Sequence, residues 1–437
     1  MNFKNRRALQ LTLLGLTYSS FYCARLNLSQ AHQRIAEFLH WGYSDYGFIS
    51  STALLMYAIA VLINGGIVDW LGGKKAILIG LLGSFVANLL FGLTYYLVDS
   101  TVKVGPLNFI YAGSTLVSTL AVIWSANYYF QSLGSLSVAK INSSWYQIKE
   151  RGTASGTFGA LIQVGRFLVA TACPLLLLWL PWPYIFFVPA VLLLGMAIFV
   201  WKFVHNTPED IGVQYFDEPL KHLPILQAIK KVVTNPIILP LTIAAFCIGS
   251  ARNGIEHWLA RFFLSNYHQA SDKLAKFPPY LLYSVLMPIA MIVASIFGGR
   301  LSDTTFDKKR FPIISISMAI SSILLLVLSV CMSSPWVSAV ILVAVMFTLQ
   351  GANSMLMGCI PADFFGRSAV SSAVGVLDSA QYIGGAAIGT LIAIVLDKYK
   401  VTGTEWHYWP LLLVMPCVGA FILSTLLWKQ LPKNIKG

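Results

Sequence analysis

Two arginines lie inside long apolar stretches of the sequence, where charged residues are rare. Arg25 lies within the first of these stretches, and Arg252 lies within the one that begins at Ile237. A charge at mid-bilayer depth costs at least about 2.5–3.5 kcal/mol on insertion scales, so such residues usually face an internal cavity and mark a substrate or ion path. The two arginines are 227 positions apart in a chain of 437 residues. This spacing predicts a cavity to which each half of the chain contributes one cation.

Helical spacing predicts that Arg25 lies on a polar face. One stripe of a helix would carry Tyr18, Tyr22, Arg25, Ser29 and His32. This stripe indicates that Arg25 points into a polar interior, although a permanent ion pair with a nearby carboxylate is an alternative. For Arg252 the alternative is an intrahelical ion pair, because Glu256 lies one turn later on the same face.

The composition indicates an all-α integral membrane protein. Hydrophobic residues make up 57% of the chain, charged residues 11%, and the mean hydropathy is +0.71, whereas a soluble domain carries about 25% charged residues. Apolar stretches long enough to span a bilayer recur twelve times, at 8–32, 46–68, 75–98, 106–135, 152–178, 183–204, 236–264, 278–301, 312–333, 336–359, 368–396 and 407–429. The basic N-terminus leads directly into the first of them, which we expect to be retained as a helix.

Basic residues are distributed by loop rather than gathered in a patch for nucleic acid. Twenty Lys and Arg residues fall on the side that holds both predicted termini, against seven on the other side. This bias predicts cytoplasmic termini in a multi-pass protein of the cell membrane, most simply a bacterial inner membrane. The polar stretch 205–235 predicts a cytoplasmic linker between an N-terminal half (1–204) and a C-terminal half (236–437), with an ordinary surface loop as the alternative.

A short motif occurs once in each half, at the end of the second predicted helix of that half. Gly65 is followed four residues later by Asp69, and Gly299 is followed four residues later by Asp303, with a basic cluster after each aspartate. An aspartate at this helix end can pair with a basic group when the halves close, so we expect both aspartates to act in gating. The alternative is a loop that only fixes topology. The motif is similar to the loop pattern of the major facilitator superfamily, which implies twelve helices in two six-helix halves.

The chain resembles one branch of that superfamily, the organophosphate–phosphate antiporters, through most of its length. The resemblance lies in the order and spacing of Phe21–Ser29, Phe130–Gly134, Trp145–Tyr146, Lys149–Gly152, Arg252–Trp258, Met355–Gly358 and Tyr382–Gly385. It implies that Arg25 and Arg252 clamp the phosphate of a substrate, and guanidinium chemistry agrees, since its planar donors suit phosphate oxygens. The expected function is exchange of a sugar phosphate or glycerol phosphate for inorganic phosphate by rocker-switch alternating access.

Departures from the family limit the resemblance. Leu26, Val61 and Ile162 stand where related carriers have basic or titratable groups, while Arg166 is an additional cation. The predicted site has fewer cations than that branch, so we expect inorganic phosphate to compete weakly against the preferred ester. The candidate substrate-binding residues are Arg25, Arg252, Tyr22, Tyr57, Gln131, Gln163, His257, Asp378, Gln381 and Tyr382.

Several of these candidates have other interpretations. Asp378 could contact substrate, balance charge or only pack, and Glu256 or Asp378 could take up a proton. His257 and the tyrosines could be structural residues with one satisfied hydrogen bond. All six cysteines fall within predicted spans, which predicts free thiols packed as small hydrophobic groups.

The sequence gives no support for an enzyme. It has no Walker loop, no metal-ligand spacing and no carboxylate pair placed for acid–base work, so we expect no cofactor, no metal and no catalytic residue. The expected partners are the phosphorylated substrate, inorganic phosphate and the lipid bilayer, with the protein acting as a monomer. Two rival functions are a proton-coupled carrier of another organic anion and a non-transporting sugar-phosphate sensor.

Overall fold

The protein is built from long α-helices. The computed structural model describes residues 3–104, 113–146, 151–213, 232, 234–270, 273–306, 309–365, 370–399 and 405–429, with the backbone alone at some positions. Within these residues, helices α1 to α12 run over Phe3–Leu39, Tyr43–Leu71, Gly73–Val104, Gly113–Trp145, Arg151–Trp179, Tyr184–Phe203, Ile238–Asn266, Pro278–Thr304, Phe311–Cys331, Pro335–Ser354, Val370–Tyr399 and Glu405–Leu426. Helix α10 continues through a π-helical turn, Met355–Cys359, into a short helix, Ile360–Phe365. The all-α prediction with twelve long helices is confirmed.

Ten of the described helices are long and apolar enough to cross a membrane. The two that fall outside this set, α1 and α4, are also the helices that bury Arg25 and Gln131. Large apolar side chains such as Leu62 and Val191 are 55% and 68% exposed, as expected for surfaces that contact lipid. A helix satisfies its own backbone hydrogen bonds in lipid, so these segments can keep polar side chains inside and apolar ones outside.

The chain divides into two compact units. The first comprises Met1–Asp217 with Ala270–Ala275, and the second comprises Glu218–Gln269 with Lys276–Gly437. In the first unit α1 packs on α5 and α6, α2 on α4, and α3 on α4 and α6. In the second unit the equivalent pairs form, α7 with α11 and α12, α8 with α10, and α9 with α10 and α12. The predicted boundaries of the 205–235 linker stay a prediction, because most of it lies outside the described residues.

The segment that follows α6 joins three helix ends of the first unit. The indole Nε1–H of Trp145 on α4 donates to the carbonyl oxygen of His205 at 3.0 Å. The backbone N–H of His205 donates to the side-chain oxygen of Gln10 on α1 at 3.3 Å. The backbone N–H of Lys74 on α3 donates to Asn206 Oδ1 at 2.7 Å. Polar groups at the ends of α1, α3 and α4 are thereby satisfied by one short segment.

The cysteines have the predicted state. All six are free, and Cys23, Cys173, Cys247 and Cys417 are buried while Cys331 and Cys359 are half-buried. The prediction of free thiols within the helices is confirmed. They pack as small apolar side chains and leave the polar interior to other residues.

Candidate functional site

Helices α1 and α5 cross where small residues meet. A Cβ atom on Gly165 would lie 2.5 Å from the backbone oxygen of Ser19. The Ser19 hydroxyl also donates to the carbonyl oxygen of Leu161 at 2.5 Å. Because glycine lets two backbones approach closely, this contact fixes the register of the two helices. Arg25 lies six residues after Ser19, and Arg166 directly follows Gly165.

The same crossing occurs between α7 and α11 in the second unit. A Cβ atom on Gly384 would collide with the carbonyl oxygen of Phe246, and one on Gly249 would collide with the backbone of Gln381. Arg252 lies six residues after Phe246, the same offset that separates Arg25 from its own crossing. The two arginines therefore occupy equivalent places in the two units, in agreement with the spacing that first singled them out.

Three tyrosine rings and one amide surround the Arg25 guanidinium. Its central carbon lies 4.6 Å from the ring centroid of Tyr57, 5.1 Å from that of Tyr22 and 5.6 Å from that of Tyr128. Its Nε–H donates to the Gln131 side-chain oxygen at 2.7 Å, and the residue is only 3% exposed. Aromatic faces attract a cation, so the site keeps a charged group in the membrane interior. Tyr128 was not among the sequence candidates, although it precedes Gln131 by one helical turn.

A network of amides orients Gln131 toward Arg25. The Gln131 Nε2–H₂ group donates to the Ala24 carbonyl oxygen at 3.2 Å, to Ser84 Oγ at 3.1 Å and to Asn127 Oδ1 at 3.0 Å. Asn127 Nδ2 in turn donates to the Ala24 carbonyl oxygen at 2.8 Å. Because these acceptors hold the amide nitrogen of Gln131, its side-chain oxygen is oriented toward Arg25. Gln131 is fully buried, so the contact that the structure gives it is with Arg25, and its role as a direct substrate ligand stays a prediction.

A second buried arginine reaches Tyr22 from α5. Arg166 Nη2 donates to the Tyr22 hydroxyl at 3.2 Å, and the Arg166 guanidinium carbon lies 4.7 Å from the centroid of the same ring. Gln163 lies one turn before Arg166 and is 8% exposed, and its side-chain oxygen has no hydrogen-bond partner among the described residues. The sequence marked Arg166 as an additional cation but did not place it beside Tyr22.

Helix α7 carries the cation of the second unit. Arg252 is half-buried, and its Nε is buried without a hydrogen-bond partner in the described part of the chain. Glu256 lies one turn later on α7, and the alternative of an intrahelical pair between Arg252 and Glu256 stays a prediction. His257 directly follows Glu256 and is 7% exposed.

Helix α11 places the remaining candidates. Gln381 is fully buried, and its Nε2 donates to Asn353 Oδ1 at 2.7 Å. Tyr382 is 6% exposed, and Asp378 is half-buried. Among the described residues no group of three or more His, Cys, Asp or Glu side chains could hold a metal ion.

The repeated motif lies at the ends of α2 and α8, where the side chains of Asp69 and Asp303 are outside the described residues. Gly72 closes the α2–α3 turn with φ +80°, a conformation that favours glycine. After α8, Arg310 Nε pairs with Asp363 Oδ2 at 3.0 Å. The gating role of Asp69 and Asp303 stays a prediction.

Comparison with known proteins extends these observations. The family model described as Major Facilitator Superfamily matches residues 13–390. A solved structure of a D-xylose-proton symporter covers 99% of this chain, and 99% of its own chain is covered, with a TM-score of 0.74 at 12% identity. This likeness concerns the fold alone.

Proteins that are similar to this chain in sequence have names that state a function. The glycerol-3-phosphate transporter of Bacillus subtilis is 23% identical over 430 residues, covering 94% of this chain and 90% of that protein. The membrane sensor protein UhpC of Salmonella typhimurium is 23% identical over 447 residues, covering 98% and 93%. A probable hexose phosphate transport protein of Chlamydia pneumoniae is 23% identical over 446 residues, covering 96% and 90%.

Proposed function

The chain belongs to the Major Facilitator Superfamily, and on that premise we propose that it exchanges a phosphorylated small organic anion for inorganic phosphate. It is a multi-pass protein of the cell membrane. The observation that carries the proposal is one arginine in each unit, Arg25 and Arg252, at the same offset from a helix crossing. Relatives named for glycerol phosphate and hexose phosphate transport support a phosphate ester as the substrate.

The chemistry of the two arginines suits a phosphate group. Guanidinium stays charged at physiological pH and offers parallel N–H donors that match two phosphate oxygens. The rings around Arg25 orient it without neutralising it, since a cation over an aromatic face keeps its full charge. In the proposed function Arg25 and Arg252 are both phosphate-binding residues. The organic part is recognised by polar side chains, Tyr22, Tyr57, Gln163, His257, Asp378, Gln381 and Tyr382.

Purified protein in liposomes loaded with labelled phosphate tests this proposal. We expect external glycerol 3-phosphate or a hexose phosphate to release the label, and a pH gradient alone to leave it inside. Uptake that requires the pH gradient, with no exchange, would instead assign a proton-coupled carrier in which Glu256 or Asp378 takes up the proton.

Sensing is the second candidate function. The relative named as a membrane sensor protein covers almost the whole chain at the same identity as the named transporters. A sensor needs the same phosphate-binding residues but no transport cycle. Tight binding of a phosphate ester by a protein that is silent in the liposome assay would favour this candidate.

A further inference from the structure

Arg166 is buried in the middle of a helix. It lies on α5, which runs over Arg151–Trp179, and is 5% exposed. It directly follows Gly165, the residue that brings α5 against α1 at Ser19. A buried charge costs several kcal/mol unless other groups compensate it. A side chain placed here by the closest contact of the two helices has a fixed position relative to α1.

Tyr22 brings this arginine to the same place as Arg25. The two guanidinium carbons lie 4.7 Å and 5.1 Å from the centroid of the Tyr22 ring, and Arg166 also donates to its hydroxyl. Two like charges around one side chain repel each other, and a bound anion with two negative charges reverses that repulsion. The arrangement is thus more favourable with such an anion present.

The described acidic side chains of this half lie near helix ends or outside the long helices. Glu37 and Asp45 are in the last turn of α1 and the first turn of α2, and Glu209 and Asp210 follow α6. The four acidic residues between Met1 and Asp217 whose side chains the structure describes all lie at a helix end or after α6. Arg25 and Arg166 each place a positive charge beside the Tyr22 ring.

The buried amide of Gln163 is an independent observation that points to a ligand near Arg166. Gln163 lies three residues before Arg166, a spacing that puts both on one face of α5. It is 8% exposed, and its oxygen has no hydrogen-bond partner among the described residues. A buried amide oxygen without a donor is costly. A hydroxyl of a bound ligand would satisfy it.

We propose that Arg166 is a second phosphate-binding residue of the N-terminal half, so that Arg25 and Arg166 together recognise the dianionic charge of a phosphate monoester. The inference rests on the proposed function. Leu26, Val61 and Ile162 stand where related carriers have basic or titratable groups. In this proposal Arg166 supplies a positive charge to the site from α5 instead. Gln163 then accepts a hydrogen bond from the organic part of the same ligand.

Ligands that differ only in charge test the proposal. Hexose 6-phosphate carries two negative charges at pH 8, and hexose 6-sulfate has nearly the same shape with one. Titration calorimetry on the purified full-length protein gives the affinity for each. We expect the wild type to prefer the phosphate by about tenfold or more, from one additional charge-assisted contact. Arg166→Gln should lose most of that preference while its affinity for the sulfate changes little.

Controls separate charge recognition from folding. Arg7→Gln removes another arginine that lies 4.6 Å from a tyrosine ring, that of Tyr146, and should keep the wild-type preference. Arg166→Lys keeps the charge and Tyr22→Phe removes only the hydroxyl; if Arg166→Gln does not fold, these two should each reduce the preference partly. A wild-type ratio of phosphate to sulfate affinity in every folded variant at Arg166 and Tyr22 would overturn the assignment. A wild type that binds neither hexose ester and does not bind glycerol 3-phosphate would overturn the proposed function as well.

Discussion

Arg25 is held by contacts that fix its orientation. Three tyrosine rings surround the guanidinium and Gln131 accepts from Nε. An amide network whose members are buried sets the position of Gln131 in turn. Such support is what a binding group needs, since a donor that is already oriented loses little conformational freedom when the ligand arrives.

Replacing either arginine by lysine tests the phosphate clamp. Arg25→Lys and Arg252→Lys should each lower the affinity for a phosphate ester by about tenfold to a hundredfold, because a point charge cannot reproduce the two-donor fork. Exchange in liposomes should be lost in parallel, while the amount of inserted protein stays normal. Near-normal exchange by one of these variants would remove that arginine from the clamp.

At the scale of helices, the crossing of α1 with α5 positions the first-unit site. Gly165→Val would push side-chain atoms into the Ser19 backbone and should destabilise the protein by about 1–3 kcal/mol or more, as overpacking does. It should also impair substrate binding by shifting Arg166 away from Tyr22. Gly159→Val on the same helix is the matched control, since no described heavy atom lies within 4 Å of a Cβ there. Equal stability and binding in the two variants would show that the crossing does not position the site.

The segment after α6 predicts a dependence of stability on pH. Burial lowers the pKa of His205 below its usual value, Lys74 and Arg6 lower it further, and Asp210 opposes them. A His whose folded pKa is lowered stabilises the fold fully above the ordinary pKa of about 6.5, and that contribution is lost as pH falls through the folded pKa. Wild-type protein should therefore lose more thermal stability between pH 8 and pH 5 than His205→Gln does. Identical losses would mean that His205 is as solvated in the folded protein as in the unfolded chain.

Helix existence was predictable from the sequence because lipid imposes a minimum apolar length on every span. The positions of the helix ends were less predictable. Helix α1 runs over Phe3–Leu39 rather than 8–32, because a helix continues into polar sequence where the apolar pattern stops. The predicted start of the fourth span, at 106, lies outside the described residues. The contact of Arg166 with Tyr22 could not be predicted, since it depends on the register that Gly165 and Ser19 impose on two helices far apart in the chain.

On the scale of the whole molecule, the two units repeat the same helix pairs and the same crossing. The motif that ends α2 and α8 also occurs once in each unit, which supports a shared role in the transport cycle. Asp69→Asn should slow exchange while leaving equilibrium binding of the ester largely intact, and Asp303→Asn should act similarly but less strongly. Rates of exchange and binding isotherms on the same preparations distinguish the two effects. A loss of affinity as severe as that of the arginine variants would rule out a gating role.

In the proposed function this protein recognises its substrate through a phosphate group. Calorimetric titration of the purified protein with glucose 6-phosphate, glycerol 3-phosphate and the unphosphorylated glucose and glycerol tests it most directly. We expect at least one ester to bind, and removal of its phosphate to lower the affinity by about a hundredfold or more, through the loss of two charge-assisted contacts. Equal affinity for each ester and its unphosphorylated parent would rule out recognition through the phosphate group.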